Sequence, residues 1–311
     1  MIMFFDTRGL CVLFAITIWS INVGLATELG DEPKDISFSV DPVWRSDDRE
    51  KRMTYGLNVA APWPGGGTLF INFPEHLEYD PQGNTILRHW DNRRNLWIMS
   101  PDLKQVSYRV ESLAMKGVTV EAFARVATRT ECPAGARGIY LAMRIANNSR
   151  ITLPVIRPLI CFQYKKLTGF PQYMENFQHS FIVMNGELTA LSDLPTKNLD
   201  TKFKGCVVRG CPQRDTRAER QGGLIREDMD LALSVVTELK GPRKVIFWWT
   251  PGKSMIANAN IPCMHADPYF GSLKPGEKAS AEGLVLFTED KTDPIVEELI
   301  RRDRKSPRWQ H

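Results

Sequence analysis

Cys263, His265 and Asp267 stand at alternate positions in the stretch Phe247 to Gly271, FWWTPGKSMIANANIPCMHADPYFG. If the chain is extended there, the three side chains share one face, because successive strand residues point to opposite sides. A thiol, an imidazole and a carboxylate together carry the donor types of a metal site. They are also the parts of a nucleophile with its base. The set lacks a second histidine, so no metal is expected. His265 and Asp267 are instead read as a catalytic pair, in which the carboxylate fixes the imidazole tautomer and His265 acts as a base or binds a hydroxyl. Pro251, Pro262 and the run Ala257 to Asn260 suggest a long ordered loop. Within it Trp249, Lys253, Asn258, Asn260 and Tyr269 are the expected ligand contacts, with aromatic surface at both ends for stacking. The competing account is structural: polar groups that satisfy buried backbone, and tryptophans that fill a core.

Other chemistries find no support. Pro251-Gly252-Lys253-Ser254 resembles the end of a phosphate loop, but Phe247 stands where that motif needs glycine. No GxSxG elbow occurs. Pro64-Gly65-Gly66-Gly67 fits no dinucleotide fingerprint, and no cofactor is expected. Glu227, Asp228, Asp230 and Asp267 are the first acids to consider as partners of His265. Arg88, His89, Asp91 and Arg93 form either a polar binding edge or a solvated turn.

The elements that must position these residues read as strands. Gln105 to Leu113, Gly117 to Val126 and Gly138 to Ala146 alternate apolar and polar residues, the period of half-buried antiparallel strands. Asn147-Asn148-Ser149 (also a formal glycosylation sequon), Asn185-Gly186 and Gly241-Pro242 supply turns between apolar runs. Helical pattern is confined to the C-terminus, where Pro294 suits a first turn and Ile295, Val296, Leu299 and Ile300 share a face. The expected fold is mostly β: a large antiparallel β-sandwich, supersandwich-like, with a short C-terminal helix. Residues 27–300 form one domain with a charged excursion at 195–230, and 301–311 form a basic tail.

Residues 1–26 read as a signal peptide: Arg8 ends a polar start, Leu10 to Trp19 are apolar, and Gly24 and Ala26 are small. The apolar run is shorter than the roughly 20 residues of a spanning helix. The expected mature protein is therefore periplasmic or secreted, with no membrane contact after cleavage. Of six cysteines, Cys11 leaves with the leader. In an oxidising compartment Cys206 and Cys211, flanked by Gly205, Gly210 and Pro212, are expected to pair. A net charge of +4 on 311 residues is too mild to suggest a nucleic-acid partner.

Three stretches carry a resemblance: RPLICFQYKKLTGFPQ at 157–172, the segment at 248–271, and LKPGE at Leu273 to Glu277. The chain resembles a group of uncharacterised secreted bacterial proteins of this length, which has no assigned activity. More loosely, the layout with its late PGE turn looks like galactose-mutarotase-type supersandwiches. That likeness implies sugar-binding epimerases, lyases or accessory domains, at the level of fold alone. The leading expectation is a secreted carbohydrate-binding or carbohydrate-associated protein, with a glycan or small molecule as partner. A sugar-active enzyme using His265 with a nearby acid is the alternative, and an envelope structural or interaction protein the third.

Overall fold

The computed structural model describes residues 35–305 apart from 45–52, 81, 89–96, 173, 197, 199–200, 215, 217–218 and 220–221. The expected signal peptide, His89, Asp91, Arg93 and positions 306–311 lie outside the described residues. Among the described residues, seventeen strands form two sheets. The first sheet runs β1 (Phe38–Trp44), β2 (Met53–Ala60), β3 (Thr68–Glu78), β9 (Arg157–Gln163), β16 (Cys263–Pro268), β15 (Gly252–Asn258) and β12 (Phe203–Val207), with β4 (Thr85–Arg88) beside β3. The second runs β11 (Glu187–Ala190), β10 (Ser180–Met184), β13 (Leu233–Thr237), β14 (Lys244–Thr250), β17 (Lys278–Thr288), β8 (Arg137–Asn147), β7 (Val118–Val126), β6 (Gln105–Glu111) and β5 (Ile98–Met99). Neighbouring strands pair antiparallel, for example Leu284 opposite Tyr140 and His265 opposite Cys161. Leu57, Ile71, Phe162 and Met264 of the first sheet meet Val120, Leu141, Phe247 and Val285 of the second in one core. The fold is a large antiparallel β-sandwich. No helix among the described residues is long and apolar enough to cross a membrane.

The patterning explains the second sheet. Along β7, Val118, Val120, Ala122 and Ala124 are buried and alternate with half-buried neighbours, as a strand with one face on a core requires. Asn185 (φ 54°) and Gly186 (φ 85°) join paired Met184 and Glu187. Both positive φ values belong to a two-residue primed hairpin turn. Asn147 lies fully buried at the end of β8, and its side-chain amide donates to the Ile151 and Leu273 carbonyls. The sequon is thus a structural turn, with its amide already committed.

Helix α1 (Thr292–Lys305) covers the far side of the second sheet. Ile295, Val296 and Leu299 pack there with Ile246, Trp248, Leu284 and Leu286. Burial of such side chains stabilises by about 1.5–3 kcal/mol each. This helix also seals Trp248, the tryptophan that alternation directs away from the main core. Arg302 donates to the Glu131 carbonyl in the β7–β8 connection. Glu131 receives both guanidinium nitrogens of Arg125 at 2.7 and 2.5 Å and the Thr128 N–H at 2.8 Å. The Arg125 fork holds its carboxyl down at about 2. A depressed carboxylate adds stability above its unfolded pKa and loses it as pH falls through the folded value. With both side chains partly solvated, Glu131→Gln is expected to cost about 1–2 kcal/mol at neutral pH. Urea melts should show that difference shrinking between pH 4.5 and 2.

Two expectations are corrected. The stretch Phe247 to Gly271 is not a long loop: it comprises the end of β14, then β15, a short turn and β16. Of its three prolines, Pro251 lies between β14 and β15, Pro262 just before β16, and Pro268 ends β16. Cys206 and Cys211 are not bridged; both are free and buried. Gly205 is not in a turn but inside β12, opposite Ile256, so the four-residue spacer does not close a loop. The Cys206 thiol donates instead to the Glu227 carbonyl at 2.8 Å, and Cys211 to the Gln213 carbonyl at 3.4 Å.

Candidate functional site

A proline sets the geometry of the site. Asn72 of β3 lies opposite Cys161 of β9, and His76 opposite Leu159. Four steps along β3 therefore span two along β9. Pro74, which has no N–H to give the ladder, lies in this bulge. The Tyr108 hydroxyl, from the opposite sheet, donates to the Phe73 carbonyl at 3.1 Å and pins it. The bulge delivers the Glu75 carboxylate to the face of the first sheet that points away from the core.

Alternation brings the other groups to that face. In β9, Ile160 and Phe162 enter the core while Leu159, Cys161 and Gln163 point outward. In β16, Met264 and Ala266 enter the core, leaving Cys263 and His265 outward. In β15, Met255 and Ala257 point in, and Ile256 and Asn258 out. With Glu75, Phe203 and Ile261 they line one small cleft with room of about 70 Å³. Leu159, Ile256 and Phe203 pack together as an apolar cluster. Polar Glu75, Gln163, Asn258 and His265 stand beside it, with Asn258 opposite Phe203 and His265 opposite Ile256.

The floor of this cleft is dense in ionisable groups. His265 and Glu75 are only 6% and 4% exposed. The Nδ1 of His265 lies 3.8 Å from Glu75 Oε2 and has no hydrogen bond among the described residues. Its Nε2 is 3.6 Å from Cys263 Sγ. Gln163 donates to Cys161 Sγ at 3.7 Å. Burial alone would lower the His265 imidazole, but the Cys161 sulfur and the Glu75 and Asp267 carboxylates outweigh it and bring it to about 9. Contact with the Cys263 sulfur, together with burial, pushes the Cys161 thiol up. Burying charge in a sheet face costs stability unless it is paired, so such clusters concentrate at functional positions.

The expected site residues divide. Cys263, His265 and Asp267 do share one face of a strand. His265 and Asn258 line the cleft. Asp267 is turned to the backbone: Oδ1 accepts the Ile160 N–H and Oδ2 the Ser254 hydroxyl, each at 3.1 Å. Burial raises its carboxyl to about 6. Trp249 is fully buried in the core, 5.8 Å from the Phe73 ring, and Tyr269 is buried in the same cluster. Neither offers a stacking surface, which corrects their assignment as ligand contacts. Asn260 is exposed at the turn, where its N–H binds the Asn258 side chain. Lys253 is buried at the start of β15, within electrostatic reach of Asp267 and Cys211, and does not line the cleft. Glu75, Cys161, Gln163 and Phe203 were not among the expected site residues. Pro74 inside an apolar strand was the available signal for Glu75.

No family model matches the sequence, and a search of curated proteins finds no match. Among solved structures, a galactose mutarotase-like protein from Lactobacillus casei ATCC 334 aligns over 80% of this chain and all of its own, with 9% identity and a TM-score of 0.41. The sandwich architecture rests on the two sheets themselves.

Proposed function

We propose that this protein binds a small carbohydrate in the cleft between Phe203 and His265. One observation carries the reading: the cleft sets an apolar cluster directly beside polar side chains. A sugar ring has the same division, with C–H faces that stack on an aromatic and hydroxyls that need planar polar partners. Phe203, half-buried, supplies the stacking surface, and Gln163 and Asn258 the hydrogen-bonding groups above the floor. A glycan array followed by titration calorimetry tests it. Phe203→Ala should weaken sugar binding about tenfold, the loss of roughly 1–1.5 kcal/mol from an aromatic contact, while the variant stays folded by circular dichroism at the temperature of the titration. No binding to any glycan, or full binding by the variant, would refute the reading.

A second reading, a sugar-active enzyme, is favoured by the Glu75 carboxylate facing the His265 imidazole at the cleft floor. Incubation with the sugars that bind, followed by NMR, separates the two: product formation selects the enzyme, and unchanged sugar selects the binding protein.

A further inference from the structure

We propose that Cys161, Cys263 and His265 form a zinc site whose fourth coordination position opens on the cleft. The two sulfurs and an imidazole nitrogen all lie within 4.8 Å of one another, and the three residues are buried. Strand register brings them together: Cys161 faces His265 directly across β9 and β16, and Cys263 lies one pleat away on the same side. Zinc bonds of about 2.3 Å to sulfur and 2.0 Å to nitrogen, at tetrahedral angles, place ligand sulfur and nitrogen ~3.5 Å apart and two sulfurs ~3.8 Å apart. The Cys263 Sγ to His265 Nε2 distance is 3.6 Å. That pair is at ligand spacing, and the Cys161 sulfur lies within 4.8 Å of both.

The surroundings fit as well. A zinc-bound histidine presents its second nitrogen to a carboxylate, which fixes the tautomer and orients the ring. His265 Nδ1 has the Glu75 carboxylate 3.8 Å away. Gln163 directs its amide N–H at Cys161 Sγ, a donor that favours thiolate. Two thiolates and one imidazole select a soft or borderline cation, and a tetrahedral arrangement selects zinc. Binding replaces two S–H bonds with two Zn–S bonds, and a protonated imidazole also gives up its Nε2 proton to form the Zn–N bond, so up to three protons pass to solvent and the zinc and its thiolates are together neutral. Three protein ligands leave one position for water or a ligand oxygen. All three residues line the cleft. The site stands apart from the carbohydrate reading, because metal content is measured without sugar.

Elemental analysis of the full chain after zinc loading and gel filtration should give one zinc per chain. Cobalt-loaded protein should show the near-ultraviolet thiolate-to-cobalt band and the intense visible bands of a tetrahedral ion. Cys161→Ser and Cys263→Ser should each abolish the stoichiometric zinc. Because either could disturb folding, Glu75→Gln is the second probe: it keeps the donor set and should weaken zinc affinity 10- to 100-fold. Absence of thiolate-to-cobalt bands, unchanged zinc content in both serine variants, a Cys161–Cys263 disulfide in non-reducing peptide maps, or binding of copper(I) but not zinc would each overturn the assignment.

Discussion

Trp249→Ala is expected to cost about 3–5 kcal/mol of folding stability and to lower Tm by roughly 10 °C. Trp249 is fully buried between the sheets. Its ring lies 5.8 Å from Phe73, which in turn lies 6.3 Å from Trp97, and Trp97 meets Tyr108 edge-on at 4.6 Å. Removing the indole leaves a cavity that rigid strands on both sides fill poorly. The same aromatic chain underlies the bulge that carries Glu75, since Tyr108 holds the Phe73 carbonyl. Thermal melting by circular dichroism measures the effect. A stable variant that has lost only sugar binding would return Trp249 to the ligand surface and contradict its placement.

Asp267→Ala is expected to cost about 2–3 kcal/mol, because it strands a buried backbone donor. The β9–β16 pairing ends at Cys161 and His265. Beyond that point the Ile160 N–H is satisfied by Asp267 Oδ1 in place of a strand carbonyl. Asp267→Asn retains a carbonyl oxygen for the same N–H and should recover most of the loss. Urea denaturation of the two variants, with equal m values, is the comparison. Equal destabilisation by both would show that the carboxylate charge matters, rather than its role as a backbone acceptor.

The two sheets differ in how openly the sequence declares them. β6, β7 and β8 have one face on the core and one toward solvent, so their alternation reads directly, as does the Asn185-Gly186 hairpin. β9, β15 and β16 are buried at every position. Burial on both faces erases the period of two, which is why GKSMIAN and CMHADP read as loop. The placement of Cys263, His265 and Asp267 on one face was legible because it depends only on extension. Glu75 and Cys161 reach His265 through pairing between segments some hundred or more residues apart, and no local pattern encodes that. Trp249 and Tyr269 show the converse limit: aromatic residues suit a core and a sugar shelf equally well. Only the tertiary packing, such as Phe73 against Trp249, decides for the core.

The proposed ligand seat is the outward face of the first sheet. A crystal structure of the protein with the tightest-binding sugar from the array tests this most directly. The expected result is a sugar ring against Phe203, with its hydroxyls toward Asn258, Gln163 and the floor formed by Glu75 and His265. A sugar seated on any other surface, with this cleft filled only by water, would contradict it.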